Sequence, residues 1–211
     1  MKIRIAALFP DHLDLNGDQA NLKVAKARLE WLGYEVEIIP VHKGDQVPAE
    51  SAMVFLGHGS IAAWADIDSE LRAQVPKLKA MIQEGVAFMA VASGHERAIE
   101  LGFFPGKVAK RERISKFELT NLNGLEVLGY LNSETDAPII QKSGLLLGTQ
   151  LHGPLFAKNP KLVDAYFAEI IESRNIGVGS QVSQPDSRAK IDFVSAIVDQ
   201  VWSLEKQLAS E

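Results

Sequence analysis

Cysteine is absent from the 211 residues, and neither sign of charge is in large excess. The lack of thiols excludes disulfides, thiolate metal sites and cysteine catalysis in this sequence. A formal net charge of -5 is not typical of a nucleic-acid-binding surface, which concentrates positive charge. No apolar run approaches the roughly 20 residues that span a bilayer, and no secretory leader pattern is visible. We therefore predict a cytoplasmic protein with no nucleic-acid partner and no membrane insertion.

Apolar runs alternate with helical patterns through the first half of the chain. Buried-strand patterns cover residues 3–8, 35–40, 53–56 and 86–91, and helical patterns cover 19–32, 68–83 and 95–101. Such alternation with short connections predicts a parallel sheet covered by helices on both faces.

The second half is less regular but supports one domain, 1–211. The patterns predict strands at 125–130 and 145–147, a polar loop at 132–138 and a helix at 160–171. A Gly-, Ser- and Gln-rich segment at 177–187 predicts a flexible connection to a C-terminal helix at 188–208.

Chemically distinctive residues concentrate in four stretches of the sequence. They are "LFPDHLDLNGDQAN" (8–21), "FLGHGS" (55–60), "AVASGHE" (90–96) and "GTQLHGPLFAKNP" (148–160). Three of them directly follow predicted strands, and ligands bind at the carboxyl ends of strands in open α/β sheets. These stretches are therefore the candidate site.

Two of these stretches allow a functional and a purely structural interpretation. Gly57-His58-Gly59 lets backbone amides approach an anion, or forms a bare turn. His152, framed by glycines and a proline, suits a general base whose orientation matters, or is a turn histidine. The five histidines are scattered without ligand spacing, so we predict no metal site and no cofactor.

Residues 86–101 have the strand–turn–helix pattern that presents a catalytic nucleophile, but alanine stands at the turn. Ser93 is the nearest hydroxyl. A serine nucleophile elbow requires glycines two residues to either side, and these positions hold Val91 and His95. A hydrolase using Ser93 and His152 is therefore the less favoured alternative.

The four stretches together resemble class I glutamine amidotransferases of the cobyric-acid-synthase-like (CobB/CobQ-like) type. Within that type, the resemblance is closest to the glutaminase subunits of lipid II isoglutaminyl synthases. "GTQLHGPLFAKNP" resembles their Gly-Thr-x-x-His-Gly-Pro…Asn-Pro segment, and the stretch from Leu8 onward resembles their start. The resemblance covers residues 3–170 and implies a three-layer, flavodoxin-like fold with a mostly parallel central sheet.

The resemblance also assigns roles to positions in this chain. It places the catalytic cysteine position at Ala92 and the catalytic histidine at His152. It places substrate-binding positions at Gly57, His58, Gly59, Ser93, Gly94 and His95, and at Arg111 or Arg113, between which the sequence does not decide.

In enzymes of this type a thiolate attacks the glutamine carboxamide and the ammonia passes to a synthetase. The resemblance therefore implies glutamine or a related small molecule as ligand. It implies a Mur-ligase-like, ATP-dependent synthetase of peptidoglycan precursor amidation as partner. Alanine at residue 92 removes the nucleophile, a loss that costs on the order of a millionfold in rate. The alternative function is a non-catalytic regulatory or small-ligand-binding module.

Ala92 has two possible origins, engineered inactivation or natural divergence. Divergence is favoured because other positions also depart from the family pattern, namely His58, Ser60, Ile61, Ser93, Glu96 and Leu131. A basic stretch with Lys107, Lys110, Arg111, Arg113 and Lys116 is either a rim for the partner or a solvated loop.

Overall fold

A six-stranded sheet forms the centre of the molecule in the computed structural model, which describes residues 2–177 and 185–209. Its strands are β1 (Ile3–Leu8), β2 (Val36–Val41), β3 (Met53–Leu56), β4 (Ala87–Val91), β7 (Ile140–Ser143) and β8 (Leu146–Thr149). Their spatial order is β2-β1-β3-β4-β8-β7. All neighbours pair in parallel except β7, which pairs antiparallel with β8 at the edge.

A second, antiparallel sheet stands beside the first. It consists of β5 (Lys110–Leu122), β6 (Leu125–Thr135) and β9 (Leu151–His152), in the order β5-β6-β9. The polar loop predicted at 132–138 is wrong in its first half, because β6 continues through Thr135. Asn132 pairs with Ser115 and Thr135 pairs with Lys110, so cross-strand hydrogen bonding to β5 outweighs the polar sequence.

Helices connect and cover the strands. They are α1 (Ala20–Trp31), α2 (Ile61–Gln83), α3 (Ser93–Glu100), α4 (Leu155–Lys158), α5 (Pro160–Ser173) and α6 (Pro185–Leu208). Helix α2 begins before the predicted residue 68, because the Ser60 side chain accepts a hydrogen bond from the Ala63 N–H and caps it. Its first residue, Ile61, is 92% exposed, so the first turn lacks the apolar period.

The C-terminal helix has the predicted type and begins at Pro185. Most of the predicted flexible connection, residues 178–184, lies outside the described residues. None of the helices in the described part of the chain is both long and apolar enough to cross a membrane.

Alternate side chains of the central strands pack into two hydrophobic cores, one on each face of the sheet. Met53 and Phe55 of β3 face a core shared with α1 and α5, while Val54 and Leu56 face a core shared with α2 and α3. A sheet that buries both faces carries near-continuous apolar strands, as β3 and β4 do. The predicted α/β fold, with helices on both faces of a mostly parallel sheet, is confirmed.

Two glycines permit close approach to the end of β3, Gly94 by the start of α3 and Gly57 by the loop after β1. A Cβ built on Gly94 would lie 2.4 Å from the carbonyl oxygen of Gly57 and 2.7 Å from that of Leu56. A Cβ on Gly57 would lie 2.1 Å from the carbonyl oxygen of Leu13. The obstructing atoms are backbone, so no side-chain rotation relieves either clash.

We expect Gly94→Ala to destabilise the protein by at least about 3 kcal/mol, because the helix must move away from β3. Chemical denaturation monitored by circular dichroism measures the change. Gly177→Ala is the control, since a Cβ there meets nothing within 4 Å. Equal stability of the two variants would contradict the close approach of α3 to β3.

Candidate ligand cleft

A cleft of about 400 Å³ opens where β3, β4 and β8 end, with β6 along one side. Six of the residues predicted for the site line it: His58, Gly59, Ala92, Ser93, Arg113 and His152. The sheet thus brings together residues that follow different strands, as expected for ligand sites in open α/β sheets.

Ala92 occupies the tip of the turn between β4 and α3. Its backbone angles, φ 51° and ψ -120°, are unfavourable for a residue with a Cβ, at a cost of about 1–3 kcal/mol. The Ala92 N–H donates to the Thr149 carbonyl at 2.7 Å, and the Gln150 amide donates to the Ala92 carbonyl at 3.1 Å. The end of β8 therefore holds this strained turn in place.

The Ser93 hydroxyl joins the two walls of the cleft. It accepts hydrogen bonds from the Trp64 indole N–H at 2.8 Å and from the Gly59 N–H at 3.2 Å. Its own proton points to His58 Nδ1 at 2.7 Å or to the Gly59 carbonyl at 3.2 Å. A hydroxyl has one donor and two acceptor positions, so all its hydrogen-bonding capacity is used within the protein.

His152 is held by hydrogen bonds at both ring nitrogens. Nδ1 lies 2.6 Å from the Asn16 side-chain amide, and Nε2 lies 2.9 Å from the Asn132 carbonyl. A carbonyl only accepts, so Nε2 carries the proton and Nδ1 accepts from Asn16. Burial lowers the pKa of His152, so this neutral tautomer is the one present at pH 7.

The pairing of Ser93 with His152 that the less favoured hydrolase alternative requires is not found. Ser93 instead contacts His58, whose ring stands edge-to-face against His152 with 4.9 Å between centroids. Burial, with a smaller contribution from His152, lowers the pKa of His58 to about 4. Two neutral imidazoles therefore lie side by side in the cleft.

Four residues predicted to bind substrate lie elsewhere. Gly57 and Gly94 fill the contact between β3 and α3 described above, and neither lines the cleft. His95 is fully buried behind the turn, with Nε2 2.6 Å from the Gln141 amide. Of the two arginines between which the sequence does not decide, Arg113 lines the cleft and Arg111 does not.

The location of His95 has a steric cause. Its ring lies so close to β8 that a Cβ on Gly148 would be 2.3 Å from the imidazole Cδ2. The first turn of α3 places successive side chains about 100° apart, so Ser93 and Glu96 face the cleft while His95 faces the core. Burial lowers the pKa of His95 to about 4.

Sequence reasoning missed several cleft residues. Trp64 and Glu96 lie on α2 and α3, and Thr135 on β6 donates its hydroxyl to the Glu96 carboxylate at 2.6 Å. Asn16 lies in the quoted 8–21 stretch but had no assigned role. The helical period was a signal that places Glu96 on the same face of α3 as Ser93. The hydrogen bond between Asn16 and His152 depends on long-range packing, which no local sequence pattern predicts.

The lining carries both signs of charge. Glu96 is half-buried, and burial raises the pKa of its carboxyl above the ordinary value. Lys110 and Arg113 of β5 line the same cleft, and Arg113 donates to the Asn132 side chain at 2.9 Å. In the described part of the chain, no group of three histidine, aspartate or glutamate side chains could hold a metal ion.

Asp18, in the loop before α1, is fully buried, and neither carboxylate oxygen makes a well-formed hydrogen bond in the described chain. Burial raises the pKa of Asp18 to about 6, partly offset by the nearby backbone of His58 and Asn16. The same loop supplies Asn16 to His152, and the Leu15 N–H donates to the His58 carbonyl. The loop's buried acid therefore lies beneath the cleft.

The sheet order, the strained turn and the cleft at the strand ends define a glutamine amidotransferase-like fold. The structure is similar to PurLQS from Thermotoga maritima, with a TM-score of 0.52 and 14% identity over 82% of this chain and 97% of that chain. It is also similar to a glutamine amidotransferase from Thermotoga maritima, with a TM-score of 0.51 and 15% identity over 99% of both chains. At such identities the similarity concerns the fold alone. No family model and no curated protein matches the sequence.

Opposing titrations in this region predict how stability depends on pH. The low folded-state pKa values of His58 and His95 make stability rise with pH between about 4 and 6.5, since the unfolded chain binds more protons there. The raised pKa of Asp18 acts in the opposite sense between 3.8 and about 6. We therefore expect the free energy of unfolding of Asp18→Asn to rise by about 2–3 kcal/mol relative to that of wild type as the pH rises from 4 to 7.

Urea denaturation at several pH values measures this difference. Asp192→Asn, which removes the same charge from an exposed position on α6, is the control. If the free energies of unfolding of Asp18→Asn and wild type differ by the same amount across this pH range, the pKa of the Asp18 carboxyl is not shifted by folding.

Proposed function

We propose that this chain is a glutamine amidotransferase-like subunit that binds glutamine or a related small molecule and does not hydrolyse it. The observation that carries the proposal is Ala92 itself, because the turn keeps the backbone geometry that presents a nucleophile while the side chain offers none. Such geometry with a cleft in front of it supports binding without covalent chemistry.

The state of His152 supports the same conclusion. A general base needs a free nitrogen lone pair within reach of the nucleophile, and the Nδ1 lone pair of His152 accepts from Asn16. Restoring a thiol at residue 92 would therefore not by itself restore a catalytic pair. This favours natural divergence of the site over a single engineered substitution.

The charges in the cleft suit an amino acid. The Glu96 carboxylate provides an anion for the ligand's ammonium group, and Lys110 and Arg113 provide cations for its carboxylate. The cleft volume of about 400 Å³ is within the range of small-molecule sites. These features support glutamine or a related amino acid as the ligand.

A serine hydrolase is the second candidate, and the contact of 2.7 Å between Ser93 Oγ and His58 Nδ1 is the observation in its favour. Against it, both lone pairs of the hydroxyl accept hydrogen bonds, from Trp64 and Gly59. Attack on a carbonyl would require one of these bonds to break first. The non-catalytic function is therefore preferred.

We expect glutamine to raise the melting temperature of the wild-type protein while neither wild type nor Ala92→Cys releases ammonia. Differential scanning fluorimetry measures binding, and a coupled glutamate dehydrogenase assay measures ammonia. Glu96→Lys should weaken binding about tenfold or more, because it replaces the anion facing the ligand's ammonium group. Glu84→Lys, at an exposed position after α2, should have no effect.

Each contrary outcome has a distinct meaning. Ammonia release by Ala92→Cys would show that the catalytic machinery is otherwise intact. Ammonia release by wild type, lost in Ser93→Ala, would establish the hydrolase. No binding of glutamine or of related amino acids would refute the proposed ligand.

We further propose that the partner of this chain is a Mur-ligase-like, ATP-dependent synthetase of peptidoglycan precursor amidation. The sequence resemblance across residues 3–170 supports this partner. Lys110 and Arg113 at the mouth of the cleft are suitable contacts for an acidic patch. Part of the basic stretch is already neutralised within the protein, since Arg113 lies 3.8 Å from Glu134 and Lys116 pairs with Glu118.

We expect charge reversal at Lys110 and Arg113 to reduce recovery of a Mur-ligase-like synthetase in pull-downs from native lysate. The reversed charges would repel the acidic patch and slow association. Reversal at Arg188 and Lys190 of α6, both exposed and absent from the cleft lining, is the matched control. If wild type recovers no such synthetase, the free-standing ligand-binding module replaces the subunit hypothesis.

A further inference from the structure

Helix α6 exposes a continuous apolar stripe that no other part of the described chain covers. Five of the nine large hydrophobic side chains that are exposed in the described residues belong to it. They are Phe193 at 67%, Ile197 at 45%, Val201 at 44%, Leu204 at 65% and Leu208 at 51% exposure. A concentration of this kind on one helix marks an interaction site, whereas scattered exposed hydrophobics need no explanation.

The stripe is separate from the face by which α6 packs on the protein. At 100° per residue, its five side chains fall within an arc of about 80°. The half-buried residues Val198 and Trp202 point to the neighbouring face, where Trp202 Nε1 donates to Asn159 at 3.5 Å. Ion pairs of Lys158 with Glu205 and of Lys206 with Glu126 fix the same face. The stripe is therefore left outside after the helix has docked.

The spacing of the stripe fits a second copy of itself. The five side chains of the stripe are separated by 4, 4, 3 and 4 residues. This spacing is nearly the same in both chain directions. In an antiparallel pair with its two-fold axis near Val201, Phe193 meets Leu208 and Ile197 meets Leu204 of the other copy. Each contact is then made twice, as an isologous interface requires.

The charges around the stripe also favour a second copy. From residue 193 to 208 the side chains of the stripe are uncharged. Ala196, Gln200 and Gln207 flank one edge of it, and Glu205, whose charge is paired with Lys158, flanks the other. A membrane-surface helix flanks its apolar face with several lysines and arginines, and an electrostatically steered partner needs a charged patch. This segment has neither several flanking lysines and arginines nor a charged patch. A face without net charge can meet its own copy without repulsion.

The exposed area is adequate for a reversible dimer. Fully exposed large side chains present about 150–250 Å² each, so the stripe offers on the order of 500 Å² of surface per copy. A stable interface buries about 800 Å² per partner, and the flanking glutamines and Ala196 supply part of the difference. An interface of this size belongs with weak, reversible complexes, so we expect dimers only at micromolar or higher concentrations.

We propose that this α6 stripe joins two copies of the chain as an antiparallel helix pair about a two-fold axis near Val201. None of its residues lines the ligand cleft. The interface is thus independent of the proposed function, and both copies keep their clefts open.

Sedimentation velocity of the full chain, at concentrations up to about 200 µM, tests the interface. Wild type should form dimers at micromolar concentration, and Leu204→Glu should raise the dissociation constant at least about 100-fold, because each glutamate is buried against an apolar partner. Gln83→Glu adds the same charge at an exposed position at the end of α2, outside the stripe and its flanks. It should dimerise like wild type.

Single cysteines test the symmetry, since the chain contains no cysteine of its own. Val201→Cys should be linked to its own copy by a short bismaleimide, and Ser203→Cys should not. Circular dichroism verifies that each variant is folded. Wild type that stays monomeric at the highest concentration, or equal cross-linking of the two cysteine variants, would overturn the proposal.

Discussion

The close contact between the start of α3 and the end of β3 is the constraint on which the cleft depends. Gly94 leaves no room for a Cβ against the carbonyls of Leu56 and Gly57, so the chain must turn at Ala92 without a gap. That turn requires the positive φ of Ala92, which the hydrogen bond from its N–H to Thr149 stabilises. Backbone packing, and not the side chain at residue 92, therefore fixes the shape of the site.

The same close packing determines the protonation of the cleft. The loop before α1 covers the Gly57–Gly59 turn, buries Asp18 and brings Asn16 to His152. Desolvation then keeps His58 and His152 neutral, and a proton donor on Asn16 occupies the lone pair that a base would need. The hydrogen bonds of His152 thus suit a structural role and leave no free lone pair for a base.

Local sequence patterns predicted β1 to β4, β8, the first half of β6, most helices and the tip position of Ala92, because buried strands and glycine-bounded turns leave strong periodic signals. They did not predict β5, β7 or β9. They failed where partners distant in sequence decide the structure. The polar end of β6 becomes a strand only through pairing with β5, and His95 turns inward only because Gly148 makes room for its ring. Motif matching placed His95 and Gly94 in the site by adjacency, but helical geometry divides adjacent residues between core and cleft.

Ala92 shows why the walls of the cleft are fixed. Glycine would adopt a positive φ at lower cost, yet a strained non-glycine residue occupies the tip of the turn. Hydrogen bonds with Thr149 and Gln150 hold Ala92, and the neighbouring Ser93 hydroxyl accepts hydrogen bonds from Gly59 and Trp64. Strain of about 1–3 kcal/mol persists only where the surroundings over-determine it. Those surroundings are the walls of the cleft, so the hydrogen bonds that maintain the strained turn also hold these walls at a fixed separation.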